Sequence, residues 1–319
     1  MYQALPDLDL TEIDTSVDFL SKRLRAPILI NAMTGGHPDV KEINRSLARA
    51  AARAGIAMAV GSQRAGLEDP SVAGSYQVVR EENPDGLILA NLGANASSQA
   101  VTQALQMIDA DALQLHLNVA HELAMPEGDR DFRGVLTNIE AIVRTSPVPV
   151  IIKEVGGGLS REVAQLLYHA GVSYLDVGGS GGTNFVHIEH NRTDPVRNPA
   201  WDFRGISTAV SLLETLSLSL PMGVIASGGI GDSRQIALAL ALGAQLVGMA
   251  GAFLHVLYQQ SEEALHLYIE ELIDDLRKTM LTVGARSLAD LPHKPVVITG
   301  NTAAWLERRG IDINKYARR

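Results

Sequence analysis

The stretch PVIIKEVGGGLSREVAQLLYHAGVSYLDVGGSGG, residues 149–182, holds one complete structural unit. An aliphatic run ends in Lys153, Glu154 and glycines, a helical segment follows, and a second aliphatic run ends again in glycines. In SREVAQLLYHAG, Gly171 stands where a C-terminal glycine closes a helix. Strand, helix, strand in this order is the building block of a parallel sheet.

Outward from this unit the pattern recurs. The candidate strands are APILINAMTGG (26–36), GIAMAVGSQR (55–64), GLILANLGA (86–94), ALQLHLNV (112–119), PVIIKEVG (149–156), YLDVGGSGG (174–182), MGVIASGGI (222–230) and AQLVGMAGAFL (244–254). Between them, Asp69 before Pro70 reads as an N-cap with proline at the first helical position, and Gly243 closes SRQIALALALG. Val40, Ile43, Leu47, Ala51 and Ala54 recur at helical spacing and give one apolar stripe. Eight such units favour closure into a (β/α)8 barrel over an open doubly wound sheet, the structural alternative. The chain of 319 residues then reads as one domain: a lead-in over 1–25, barrel strands over 26–254 and C-terminal helices over 255–319.

In such a barrel the C-terminal strand ends share one mouth, where active sites of this architecture are built. Nearly every candidate strand ends there in polar residues or glycine, among them Met33 and Thr34, Ser62 to Arg64, Asn91, His116 and Asn118, Lys153 and Glu154. The fourth run passes into QLHLNVAHELAMPEGDRDF (114–132), read as a strand breaking into a polar loop crowded with ionisable groups. Insertions over 120–133 and 184–204 enlarge the mouth; the second is too polar and proline-broken to be one helix, and either can serve as a lid.

Composition narrows the chemistry. The formal charge of -9 argues against a general nucleic-acid surface. The chain has no cysteine, which excludes disulfides, iron–sulfur ligation and thiol nucleophiles. The opening MYQALPDLDL has neither a basic flank nor an apolar h-region, and no apolar run approaches a membrane span, so a soluble cytoplasmic protein is expected.

Glycine clusters stand late in the barrel: GGSGG after the sixth run, SGGIGD after the seventh and GMAG near the eighth. Backbone N–H groups and a helix N-terminus at these loops suit a phosphate, and a cofactor phosphate is expected. Lys153 sits mid-mouth and can form a Schiff base, pair with a carboxylate or hold an electron-rich ring; the phosphate site favours contact with a cofactor ring. An ion pair with Glu154 fits poorly, because adjacent strand residues point to opposite faces.

The ordered set NAMTGG, VGSQR, ANLGA, LHLN with HE and PEGD, IIKEVG, LDV with GGTNF, and SGGI resembles the type 2 isopentenyl-diphosphate isomerases, from about residue 3 to PVVITGNTAAWLERRGID. The resemblance implies a TIM barrel that uses FMN and Mg2+ to interconvert isopentenyl and dimethylallyl diphosphate, with the flavin reduced by NADPH or NADH. It implies FMN contacts at Ala32, Met33, Thr34, Ser62, Asn91, Lys153 and Thr183, and phosphate contacts at Gly229, Gly231, Ala250 and Gly251. It further implies Glu122 as the magnesium ligand, Arg64 and His116 on the diphosphate with Asn118 completing the polar wall, and a tetrameric or octameric homo-oligomer.

The sequence departs from the family at several points. The family's diphosphate-binding Arg-Lys pair lies upstream of its QALP-like region, with which this chain opens, so either the recorded start lies too far downstream or part of the substrate site is lost. His121 stands where the family has a glutamine facing the substrate; histidine there is a polar contact or a proton relay. Gly178 replaces a serine near FMN, and Gly231 replaces a larger residue. The alternatives are a flavin- or phosphate-binding barrel of the same lineage without isomerase activity, and another FMN oxidoreductase. Absence of cysteine and GGSGGTNF in place of an SNHGGRQ-like motif stand against the second.

Overall fold

The computed structural model describes residues 1–193 and 203–319. Eight parallel strands close on one another in the order of the chain: β3 (Ile28–Ile30), β4 (Ala57–Ala59), β5 (Ile88–Gly93), β6 (Ala112–Leu117), β7 (Val150–Glu154), β8 (Tyr174–Asp176), β9 (Gly223–Ser227) and β10 (Leu246–Met249). The last pairs with the first, Val247 opposite Ile28, so the barrel has no free edge. The regular strands are shorter than the aliphatic runs, because each run continues into the loop at the mouth.

The strand period of two divides the aliphatic residues into two cores. Ile28, Ile30, Leu113, Leu115, Ile152 and Val247 face outward and pack under the helices. Leu29, Leu89, Ala112, Ile151, Ile225 and Leu246 face inward and fill the lower barrel. Two residues further toward the mouth, the inward positions become Asn31, Asn91, Gln114, Lys153 and Ser227, all buried. An apolar layer therefore supports a polar one.

The lead-in contributes structure of its own. β1 (Val17–Phe19) and β2 (Lys22–Leu24) form an antiparallel hairpin. Its turn residues Leu20 and Ser21 both have positive φ, +48° and +64°, as a tight primed turn requires. Phe19 and Leu24 join the inner core, and Phe19 meets Tyr174 edge-on at 5.5 Å, so the hairpin plugs the end opposite the mouth. No turn signal marks this hairpin, since neither residue is glycine or asparagine.

Helix boundaries follow the capping residues. Ser160 caps the helix Arg161–His169, which ends before Gly171 at φ +86°, and Asp232 caps Ser233–Leu242, which ends at Gly243. Asp69 caps the 3-10 turn Pro70–Val72. On the helix Lys41–Ala54 the buried stripe comprises Leu47, Ala51 and Ala54, with Asn44 among them. The C-terminal helices lie outside the barrel, and Arg309 and Trp305 are hydrogen-bonded to Glu214 on the helix Thr208–Leu216.

Both insertions differ from the loops expected. After β6 the chain enters the helix Val119–Ala124 at once, and the described part of the second insertion contains the helix Phe185–Thr193. Residues 194–202 of that insertion lie outside the described residues. Among the described residues, no helix is long and apolar enough to cross a membrane.

Candidate active site

The barrel mouth contains a cavity of about 840 Å³, within the range of small-molecule and cofactor sites. Every site residue expected from the sequence lines it. Ala32, Met33 and Thr34 follow β3, Ser62 and Arg64 follow β4, and Asn91 lies on β5. His116 and Asn118 close β6, His121 and Glu122 lie on the helix after it, and Lys153 comes from β7. Thr183, Gly229, Gly231, Ala250 and Gly251 complete the wall from the loops after β8, β9 and β10.

At the floor, Lys153 Nζ lies 3.1 Å from Asp176 Oδ2 and donates to the backbone carbonyl of Glu154 at 3.0 Å. Lys153 does pair with a carboxylate, but with one on the adjacent strand. Asp176 also accepts from Asn31 Nδ2 at 2.7 Å, from the Ser227 hydroxyl and from Gly178 N. Gly248 makes room for this layer: a Cβ there would sit 2.5 Å from Asn31 Nδ2. Sequence reasoning misses Asp176 and Asn31 as site residues; the available signal is a polar residue at an inward position of an aliphatic strand.

His116 is paired in register with Lys153, and its Nδ1 lies 3.0 Å from Asn91 Oδ1. Burial, reinforced by the Lys153 charge, pushes its pKa down to about 4, so the ring is neutral at physiological pH. Glu154 turns away from the lysine. Its carboxylate accepts from the N–H groups of Gly156, Gly157 and Gly158, while burial pushes its pKa up against those hydrogen bonds.

At the rim, Glu122 is held from both sides. Asn118 Nδ2 donates to Oε1 at 2.7 Å and Asp129 N to Oε2 at 2.8 Å. The PEGD turn folds back to make the second contact, and Gly128 permits it, since a Cβ would lie 2.1 Å from the Glu122 carbonyl oxygen. Arg130 fastens the turn by donating to the carbonyls of Glu122 and Met125. Arg64 is directed at Glu68, 2.8 Å away on its own helix, and remains 68% exposed. His121 Nε2 lies 3.2 Å from Glu189 Oε1, and its ring stacks on Phe185 with centroids 4.9 Å apart.

The glycine departures have different causes. Gly178 has φ +46°, and a Cβ would lie 1.8 Å from the Glu154 carbonyl oxygen, so this backbone path admits no side chain. Gly231 has nothing within 4 Å of such an atom. Gly251 is equally open and begins the helix Gly251–Gln259, whose first N–H groups have no acceptor within the helix.

A family model described as FMN-dependent dehydrogenase matches residues 91–298. The isopentenyl-diphosphate delta-isomerase of Moorella thermoacetica is 53% identical, covering 97% of this chain and 89% of its own length. The enzymes of that name from Bacillus licheniformis and Methanothermobacter thermautotrophicus are 49% and 44% identical, each over 100% of this chain and 91% of their own lengths. The chain belongs to the FMN-dependent, type 2 isopentenyl-diphosphate delta-isomerase family. It is thus an isomerase, and its relatives point to a role in isoprenoid metabolism. A solved mandelate oxidase variant with a monooxide FMN adduct superposes with a TM-score of 0.67 over 94% of this chain and 87% of that one. At 17% identity this likeness shows the barrel fold alone.

Proposed function

We propose that the chain interconverts isopentenyl and dimethylallyl diphosphate using reduced FMN, Mg2+ and NADPH as reductant. The observation that carries this reading is the meeting, in one cavity, of the Lys153 ammonium, the open glycine wall at Gly231 and Gly251, and the Glu122 carboxylate.

The residues present fit a flavin. The cavity has the volume, the space beside Gly231 and Gly251 suits a phosphate, and the helix Gly251–Gln259 would direct its first N–H groups toward it. Gly229 and Ala250 would complete the phosphate contacts, and Ala32, Met33, Thr34, Ser62, Asn91 and Thr183 would line the ring. Lys153, anchored by Asp176, would place positive charge beside a reduced, anionic ring.

The reaction adds a proton to the terminal alkene carbon and removes one from the adjacent methylene, so the formula is unchanged. Bound reduced flavin supplies an electron-rich surface against the developing tertiary cation and a site for proton exchange. The protein's part is to hold and orient the substrate. Glu122, oriented by Asn118, would hold the cation together with diphosphate oxygens, as a hard metal requires. A magnesium ion held by one carboxylate would take its remaining ligands from diphosphate oxygens and water. Arg64 would exchange Glu68 for the diphosphate. His121, fixed by Glu189 and Phe185, would face the alkene as the family's glutamine does, while Met125 and Ile188 give its tail an apolar wall.

Cytoplasmic location and homo-oligomeric assembly belong to the same reading. The test is conversion of isopentenyl diphosphate under anaerobic conditions with FMN, Mg2+ and NADPH, each omitted in turn. Turnover in the complete mixture and its loss on each omission are expected. FMN binding without turnover would instead favour a barrel that has kept the cofactor and lost the reaction, with His121 the first position to revert to glutamine.

A further inference from the structure

The polar layer across the barrel has a direction. Asp176 accepts through both oxygens: Ser227 and Gly178 donate to Oδ1 and Asn31 to Oδ2, while the Lys153 ammonium lies 3.1 Å from Oδ2. Three donors and a cation therefore surround the carboxylate, which has no hydrogen to give. Asn31 must turn its NH2 to Asp176, which leaves its oxygen to accept from Ala32 N at 2.9 Å and from Gln114 Nε2 at 3.2 Å. A backbone N–H can only donate, so this orientation is fixed from a second side. Gln114 must then turn its oxygen to Asn91 Nδ2, 3.1 Å away, and Asn91 must turn its own oxygen to His116 Nδ1.

We infer that this directed row of carboxamides, Asn31, Gln114 and Asn91, holds His116 as the Nδ1–H tautomer and leaves its Nε2 lone pair as an acceptor in the mouth. That nitrogen lies beside Gly93, and both residues line the cavity. Gln114 and Asp176 are positioning residues that act through His116, and Asn31 joins them while also lining the cavity. Lys153 on the adjacent strand and His121 on the helix that follows β6 both disfavour a second proton on the ring.

The consequence changes the role of His116. A neutral histidine presenting a lone pair repels an anionic phosphate oxygen and pairs with an N–H donor. Given the flavin reading above, on which this step rests, an N–H of the flavin ring would be a partner of the kind this nitrogen accepts from. The diphosphate is left to Arg64 and the cation on Glu122.

The test is nitrogen NMR of the FMN-loaded protein, labelled at its nine histidines and assigned by loss of one signal in His116→Gln. The expected spectrum at neutral pH shows His116 with a pyrrole-type Nδ1 and a pyridine-type Nε2, and Gln114→Leu shifts it to a mixture of tautomers. An Nε2–H tautomer or an imidazolium in the unaltered protein would overturn the inference, even if Gln114→Leu fails to fold. A Gln114→Leu spectrum identical to the parent would overturn the role of the carboxamide row.

A functional arm separates acceptor from anion anchor. In His116→Gln an amide that donates to Asn91 still presents an oxygen to the mouth, so FMN affinity is expected to stay within about tenfold, the scale of one hydrogen bond. His116→Lys is expected to weaken FMN binding further without lowering KM for isopentenyl diphosphate. A lowered KM with lysine would overturn the assignment. These readouts are tautomer and flavin affinity, so failure of isomerase turnover alone would count against the function and leave this inference standing.

Discussion

Lys153 and Asp176 face each other across neighbouring strands with 3.1 Å between charges, the lysine 7% exposed and the aspartate fully buried. The pair is the anchor of the polar layer, and through Ser227, Asn31 and Gln114 it reaches most of the barrel's circumference.

Removing one charge of such a pair leaves the other buried and uncompensated. Asp176→Asn is expected to lower stability by about 3–5 kcal/mol in urea unfolding and to weaken FMN binding. The double change Lys153→Met with Asp176→Asn, which leaves no charge uncompensated and keeps an acceptor for Ser227 and Gly178, is expected to recover part of the stability and none of the flavin affinity. Parent-like stability in Asp176→Asn would contradict the pairing.

The two glycine departures separate cleanly. Gly178→Ser meets the Glu154 carbonyl and a positive φ, and is expected to cost about 2 kcal/mol or more in thermal unfolding. Gly231→Ser enters open space and should stay within about 0.5 kcal/mol. Equal losses at the two positions would show that the backbone path at Gly178 is not the constraint.

His116 makes stability depend on pH. Its folded pKa of about 4 lies below the ordinary 6.5, so between these values the unfolded chain binds a proton that the folded chain does not. Stability is complete above about pH 6.5, falls as pH drops through the window, and has lost on the order of 3 kcal/mol from this group below pH 4. His116→Gln should flatten that slope in denaturant titrations. An unchanged slope would place the group's titration elsewhere.

Glu122→Gln keeps an acceptor for Asn118 and removes the charge. Asp129 N then loses its acceptor, so a cost of about 1 kcal/mol is expected in thermal unfolding, while kcat/KM drops roughly a hundredfold and the Mg2+ concentration for half-maximal rate rises. Retained Mg2+ dependence at the parent concentration would remove Glu122 from the metal.

How far the sequence reached follows from distance along the chain. Eight strands, the capping glycines and the mouth residues were legible because each is signalled within about ten residues, as Gly171 and Gly243 show. Lys153 was legible as a charge in an aliphatic run. Its partner was not: Asp176 is on the next strand and Asn31 on the first, and only barrel closure brings them together. The hairpin at Val17–Leu24 escaped because Leu20 and Ser21 hold positive φ without the residues that usually announce it. The helix Val119–Ala124 was hidden by its own polar side chains, which face the mouth and break the apolar period.

The measurement that bears most directly on the proposed chemistry is conversion of isopentenyl diphosphate in D2O by the FMN-loaded, NADPH-reduced chain with Mg2+. Proton addition at the terminal carbon predicts dimethylallyl diphosphate carrying solvent deuterium in a methyl group. Product formed without any deuterium, or recovery of unchanged substrate from a fully reduced, Mg2+-supplied protein, would contradict it.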